Sequence, residues 1–373
     1  MDDFRILLKR LSSGYTEQSL VVTGLRGVGK TVLLGEYQKV AAEESWVAVK
    51  AEASKSTPFE PQMANLARRA LFEVSPKTRW GERARSAAGV LKSFSLRLQP
   101  DGSLSLGLDV DPTIGQADTG NLNDDLADVF EAIGKAAQDQ AQGVVFLFDE
   151  IQFLDKRELE ALIGAVHRTV QSQLPITFAG AGLPQLPGLA GEAKSYAERL
   201  FKFPTIGELM GDAARDALVE PARSENVEIE TEAIEAIIQY TEGYPYFIQE
   251  FGRAVWNIAD GPLITAADAA AVQAIVEVEL DESFFRARIQ RCTLEERRYM
   301  RAMADLDPDA QKAADVAEVL GRSSEQVAPL RARLINKGLL YTPRYGYAKF
   351  TVPQFDRFMR RYMELDPQPS TEN

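Results

Sequence analysis

Two short stretches carry residue types spaced for phosphate chemistry. Gly24-Leu25-Arg26-Gly27-Val28-Gly29-Lys30-Thr31 sets a glycine ahead of Gly-Lys-Thr with four residues between. Glycines at these places let the backbone turn so that its N–H groups face a phosphate. The Lys30 ammonium can reach the outer phosphates, and the Thr31 hydroxyl can ligate Mg2+. A helix opening here, through Val32, offers its positive end to the same anion. The second stretch is Asp149-Glu150, which ends the apolar run "VVFLF". A carboxylate at the C-terminal edge of a parallel strand sits beside such a loop. Asp149 can hold Mg2+ through water, and Glu150 can polarise an attacking water.

Composition excludes several other chemistries. Cys292 is the only cysteine and His167 the only histidine among 373 residues. One thiol rules out an intramolecular disulfide and a cysteine-rich zinc site. One histidine, set in the helical pattern "LIGAVHRTV", rules out a multi-histidine metal site and reads as structural. No apolar run reaches the roughly 20 residues that span a bilayer, and "MDDFRILLKR" lacks the apolar core of a secretory signal. The expected address is the cytoplasm. The net charge of −13 argues against a wholly basic nucleic-acid binder. Residues 284–365, however, hold 16 Lys/Arg against 10 Asp/Glu. A basic C-terminal module on an acidic body points to a polyanion partner.

The two stretches need a scaffold, and the pattern supplies one. Apolar, β-branched runs at 19–25, 46–53, 144–151 and 175–182 read as buried strands. Helical spacing lies between them, so an α/β parallel sheet is expected up to about residue 208. Residues 94–110 alternate apolar and polar around Pro100-Asp101-Gly102, which reads as an inserted β-hairpin. From 209 to 282 the pattern is wholly helical. From 283 to 373 it gives three helices, two short strands around a glycine turn, and a last helix, the order of a winged helix-turn-helix. Three domains follow: 1–208, 209–282 and 283–373. In a winged helix the third helix usually enters the DNA major groove and the wing touches the backbone. Arg331, Arg333 and Lys337 on that helix, and Arg344, Tyr345, Tyr347 and Lys349 on the wing, are the candidate contacts to double-stranded DNA. A protein partner for the same module is the alternative. Pro329, inside the third helix, is expected to start or bend it.

With "TGLRGVGKTVLL", "FDEIQFL", "AGAGLP" and "KFTVPQF", the chain resembles AAA+ P-loop ATPases. The likeness is to origin-recognition initiator-like and archaeal-type ATPases and to their STAND (signal-transduction ATPase) relatives. The resemblance covers nearly the whole chain and implies a P-loop NTPase sheet of the AAA+/ASCE type, a helical lid and a winged helix. It makes Lys30 and Thr31 the Walker A pair, Asp149 and Glu150 the Walker B pair, and ATP with Mg2+ the ligands. It makes Arg199, in "ERLFKF", an arginine finger acting on a neighbouring subunit in a homo-oligomer. Two departures stand out. The strand that normally ends in a water-positioning polar residue ends here in Ala181-Gly182. Where a sensor arginine is usual the chain has Gly243-Tyr244-Pro245-Tyr246, and the Gly-x-Pro form is like the STAND signature, in which Pro245 would contact the nucleotide. No adenine-binding box is visible. These features fit slow hydrolysis or a switch better than a motor; a regulatory scaffold with little turnover, for instance in phage defence, is the alternative.

Overall fold

The computed structural model describes residues 1–363 apart from Lys77, Arg79, Leu106 and residues 307–309. Local packing groups the chain into two compact units. One comprises Met1–Gly24 and Lys30–Thr205; the other comprises Leu25–Gly29 and Ile206 onward.

The first unit is a five-stranded sheet of β1 (Ser19–Thr23), β2 (Trp46–Glu52), β3 (Gly143–Asp149), β4 (Ile176–Gly182) and β5 (Phe201–Lys202). The order is β2-β3-β4-β1-β5 and every pairing is parallel. Every residue of β1, β3 and β4 is buried, which is why these strands read as unbroken apolar runs. The helices are α1 (Asp2–Ser12), α2 (Lys30–Glu43), α3 (Phe59–Val74), α4 (Glu82–Leu98), α5 (Leu122–Asp139), α6 (Lys156–Gln171), α7 (Leu186–Ala193) and α8 (Ala197–Leu200). Phe130 of α5 stacks on Phe146 of β3, with centroids 4.7 Å apart. Such a pair adds about 0.5–1.5 kcal/mol beyond its burial. Register brings three strand ends level: Thr23 pairs with Gly182, and Phe148, just before Asp149, with Gly180. One strand, β4, therefore intervenes between the phosphate-loop strand and the acidic-pair strand.

The hairpin expected over 94–110 is replaced by the end of α4. Ala84, Ala87, Ala88, Leu91 and Phe94 recur at helical spacing and are all buried. That longer period outweighs the five-residue alternation that begins at Phe94. Arg97, near the helix end, bonds Glu60 of α3 at 2.7 Å and the fully buried Asp125 of α5 at 3.1 Å. Pro100-Asp101-Gly102 does form a turn, closed by Gly102 N–H onto Gln99 O at 3.0 Å. No strand follows it among the described residues of this stretch, and Leu106 lies outside them.

The second unit begins with α9 (Asp212–Ser224), β6 (Glu228–Ile229), α10 (Thr231–Thr241), α11 (Pro245–Ile258), β7 (Leu263–Ile264) and α12 (Ala266–Glu279). A π-helical turn, Leu280–Phe285, joins α12 to α13 (Arg286–Ile289) without a break. Then come α14 (Leu294–Asp305), β8 (Gln311–Lys312), α15 (Ala313–Val319), α16 (Ser324–Asn336), β9 (Leu340–Tyr341), β10 (Tyr347–Phe350) and α17 (Phe355–Tyr362). β10 pairs antiparallel with both β8 and β9. The α16 helix starts ahead of Pro329, with a Ser323–Gln326 capping box, so the proline lies inside it. No helix among the described residues is long and apolar enough to cross a membrane.

Candidate nucleotide site

At the C-terminal edge of the first unit's sheet, α2 begins at Lys30, directly after the glycine-rich loop. Lys30 is 6% exposed, and its Nζ donates to Gly24 O at 2.9 Å. Gly24 N–H donates in turn to Gly182 O at 3.1 Å, tying the loop's first residue to the end of β4. Thr31 Oγ1 donates to Asp149 Oδ2 at 2.5 Å, and Asp149 Oδ1 accepts the N–H of Glu150 at 2.9 Å. Both oxygens of this nearly buried carboxylate are thus oriented. A hydroxyl and a carboxylate oxygen in contact form the hard-oxygen pair that suits Mg2+. Gly29 has φ +94, a region costly for side-chain-bearing residues, and a Cβ there would meet nothing within 4 Å. The loop leaves open space at that point, and the residues present fit a magnesium nucleotide. Val32 is exposed on the first turn of α2.

Glu150 takes left-handed backbone angles, φ 54 and ψ 38. Its Oε2 accepts a hydrogen bond from Nε2 of Gln152, whose Oε1 accepts the Leu183 N–H at 3.1 Å. Sequence reading missed Gln152. Its signal was the pair of glycines in "AGAG", which leave room for the turn that carries it. A Cβ at Gly182 would lie 2.4 Å from Gln152 Oε1, and one at Gly180 would lie 1.9 Å from Ile151 Cδ1. Arg199 is exposed on α8. His167 lies in α6 with its ring 4.7 Å from that of Tyr196, in keeping with a structural role.

The loop's middle, Leu25–Gly29, packs within the second unit. Val28 is buried in that unit's core. Arg26 N–H donates to Thr351 O at 3.3 Å, and its guanidinium lies against Gly338. Gly27 has φ +85, and a Cβ there would meet the Tyr244 hydroxyl at 3.0 Å and Tyr246 Cβ at 3.2 Å. Pro245 opens α11 between those tyrosines. Burial pushes the Tyr244 hydroxyl well above its ordinary pKa, and no hydrogen-bond partner for it is found among the described residues.

The cations offered as DNA contacts are largely engaged inside the second unit. Arg331 donates to Thr342 Oγ1 at 3.1 Å and to Tyr347 O at 2.6 Å. Arg333 and Lys337 both bond Glu296, a fully buried carboxylate of α14, at 3.3 and 2.6 Å. Lys337 also reaches Arg291 O at 2.8 Å. Between β9 and β10, Arg344 lies 3.8 Å over the Tyr347 ring and Tyr345 is 100% exposed, and Lys349 is half-buried on β10.

Comparison with known proteins bears on the fold. Residues 1–178 match the family model described as AAA ATPase domain, and residues 282–359 match a domain of unknown function (DUF8462). No curated protein matches the chain. Among solved structures, the Walker-type ATPase of Pyrococcus abyssi is 15% identical with a TM-score of 0.56, over 96% of this chain and 95% of that one. The Thermotoga maritima RuvB Holliday junction branch migration motor is 14% identical with a TM-score of 0.48, covering 98% and 94%. The Aeropyrum pernix ORC1 protein, solved in complex with DNA, is 12% identical with a TM-score of 0.43, covering 96% and 91%. At these identities the likeness concerns the fold alone, and the Pyrococcus match carries it. With the sheet order above, the chain has the fold of an AAA+ P-loop ATPase.

Proposed function

We propose that this chain, with its AAA+ P-loop ATPase fold, binds Mg·ATP and hydrolyses it slowly, as a switch rather than a motor. The observation that carries the reading is the set Lys30, Thr31, Asp149 and Glu150 at one strand edge, with Thr31 and Asp149 in contact. Bound Mg2+ would neutralise charge on the phosphates. Thr31 and Asp149 are the residues that would hold it. Lys30 leaves Gly24 O for the outer phosphates, and the backbone at Gly27 and Gly29 turns its N–H groups inward. Glu150 accepts a hydrogen bond from the attacking water. As the water oxygen bonds to the γ-phosphorus, the bridging P–O pair departs with ADP and the water's proton passes to Glu150. Arg199, exposed on α8, would act on a neighbour's nucleotide in a homo-oligomer.

In this reading, residues 209–282 form the lid and 283–373 a winged helix, and the tyrosines flanking Pro245 report the state of the loop at Gly27. The test is Mg-dependent phosphate release from ATP. Wild type exceeds Lys30→Ala and Glu150→Gln; release no greater than theirs removes the enzyme reading.

A second reading gains support from the winged-helix cations. Arg331, Arg333 and Lys337 serve internal bonds, which favours a module that meets a protein partner. Double-stranded DNA would then be met chiefly by Arg344 and Tyr345 of the wing. A DNA mobility shift at several salt concentrations separates the two, because phosphate contacts weaken steeply with salt. Absence of binding at low salt removes the DNA reading.

A further inference from the structure

We propose that Gln152 is a positioning residue for hydrolysis, clamping the Glu150 carboxylate to the end of β4. This rests on the ATPase reading of the same site.

Gln152 sits in the 3-10 turn Ile151–Phe153, which directly follows the acidic pair. Glu150 O accepts the Phe153 N–H at 3.0 Å, closing that turn. A primary amide has a donor end and an acceptor end, and both are used here. Nε2 donates to Glu150 Oε2, and Oε1 accepts from Leu183 N–H at 3.1 Å. A side chain tied at two points cannot rotate freely. Its neighbour inherits the constraint, because the terminal carboxylate torsion is otherwise broad. Glu150 Oε2 is thereby occupied, and Oε1 is left to accept from water. The clamp is neutral, so it takes no proton and leaves the carboxylate's charge in place.

The end of β4 is shaped for this side chain. Gly182 has no Cβ where Gln152 Oε1 lies, and Gly180 has none where Ile151 lies. The carbonyl of Gly182 accepts the Gly24 N–H. The connection therefore runs from the Glu150 carboxylate, through the Gln152 amide, to the residue pair Gly182-Leu183 and on to the first glycine of the phosphate loop. The polar group that β4 lacks at Ala181-Gly182 is supplied from the turn after β3.

The experiment uses the full chain and ATP with Mg2+, comparing wild type, Glu150→Gln, Gln152→Ala and Gln152→Glu. Gln152→Ala lowers kcat by about 10- to 100-fold, as expected for a misplaced catalytic group. Its KM and its Mg·ATP affinity stay within about twofold of wild type, because the clamp touches no part of the nucleotide. Gln152→Glu keeps the side-chain length and is inactive at high pH. It recovers relative to wild type as the pH falls toward about 5, where the added carboxyl regains a proton to donate. A purely structural defect gives no such recovery. The tie is also read without turnover: the side-chain amide resonance that disappears in Gln152→Ala shifts position in Glu150→Gln. Wild-type kcat in Gln152→Ala, loss of nucleotide affinity in step with kcat, or no recovery in Gln152→Glu each overturns the proposal. If wild type releases no more phosphate than Glu150→Gln, the ATPase reading itself fails. The amide resonance then decides the clamp alone, and an unmoved signal refutes it.

Discussion

Replacing Lys337 by alanine removes the shorter of two charged bonds to Glu296, a carboxylate with 0% exposure. Lys337 Nζ donates to it at 2.6 Å, Arg333 Nε at 3.3 Å and the Thr293 N–H at 2.8 Å. A hydrogen bond to a charged group contributes ~1.5–3 kcal/mol. The Lys337 side chain is 33% exposed, so solvent screening reduces the expected loss to about 1–2 kcal/mol. The pH dependence has a definite sign. Burial alone would raise the Glu296 carboxyl, but Lys337 and the Thr293 N–H outweigh it and hold the group below its ordinary value. A carboxyl depressed in the folded chain contributes stability that is present above its unfolded pKa, about 4.3. That stability is lost as pH falls through the folded value. Urea unfolding of the full chain, followed by helicity, therefore finds Lys337→Ala less stable than wild type at pH 7, and the gap closes below about pH 4. Equal midpoints at pH 7, or a gap that persists at acid pH, would refute the brace. Weakened DNA binding in Lys337→Ala without loss of stability would show that the amine serves a ligand instead.

Three further outcomes follow from close approaches in the structure. Gly182→Ala puts a Cβ 2.4 Å from Gln152 Oε1 and 2.5 Å from Leu186 Cδ1; it costs ~1–3 kcal/mol of stability and lowers phosphate release while calorimetry still finds Mg·ATP bound. Gly27→Ala forces a side chain into φ +85 beside Tyr244; the strain, ~1–2 kcal/mol, appears in equilibrium titration as Mg·ATP affinity reduced about tenfold. Arg344→Ala combined with Tyr345→Ala alters exposed positions and removes the Arg344–Tyr347 ring contact, so unfolding free energy stays within about 1 kcal/mol of wild type, while any low-salt DNA shift weakens and its salt dependence flattens.

The sheet and its acidic pair were legible because central parallel strands bury both faces, so β1, β3 and β4 show as apolar runs of strand length. The phosphate loop was legible because its chemistry demands fixed residue types at fixed spacing. The stretch 94–110 misled because Phe94 and Leu98 fit both a helical and an alternating period, with Leu96 between them fitting the alternation alone. The decision lay upstream, in Ala84, Ala87, Ala88 and Leu91. The partners of the α16 cations were hidden for another reason. A sequence shows a charge but not its partner, and Glu296 lies far away in the chain. Gln152 escaped notice because one polar residue in "EIQFL" looks like filler until β4 is seen beside it.

The bare end of β4 has a consequence for reading related chains. Gln152 Oε1 and Leu186 fill the space that a side chain at Gly182 would need. An asparagine or threonine grafted onto β4 would evict Gln152 rather than supplement it. Under the proposed clamp, an absent polar residue at this strand end is not in itself a sign of a decayed enzyme. It directs attention to the second residue after the acidic pair, and the two positions are to be judged as one.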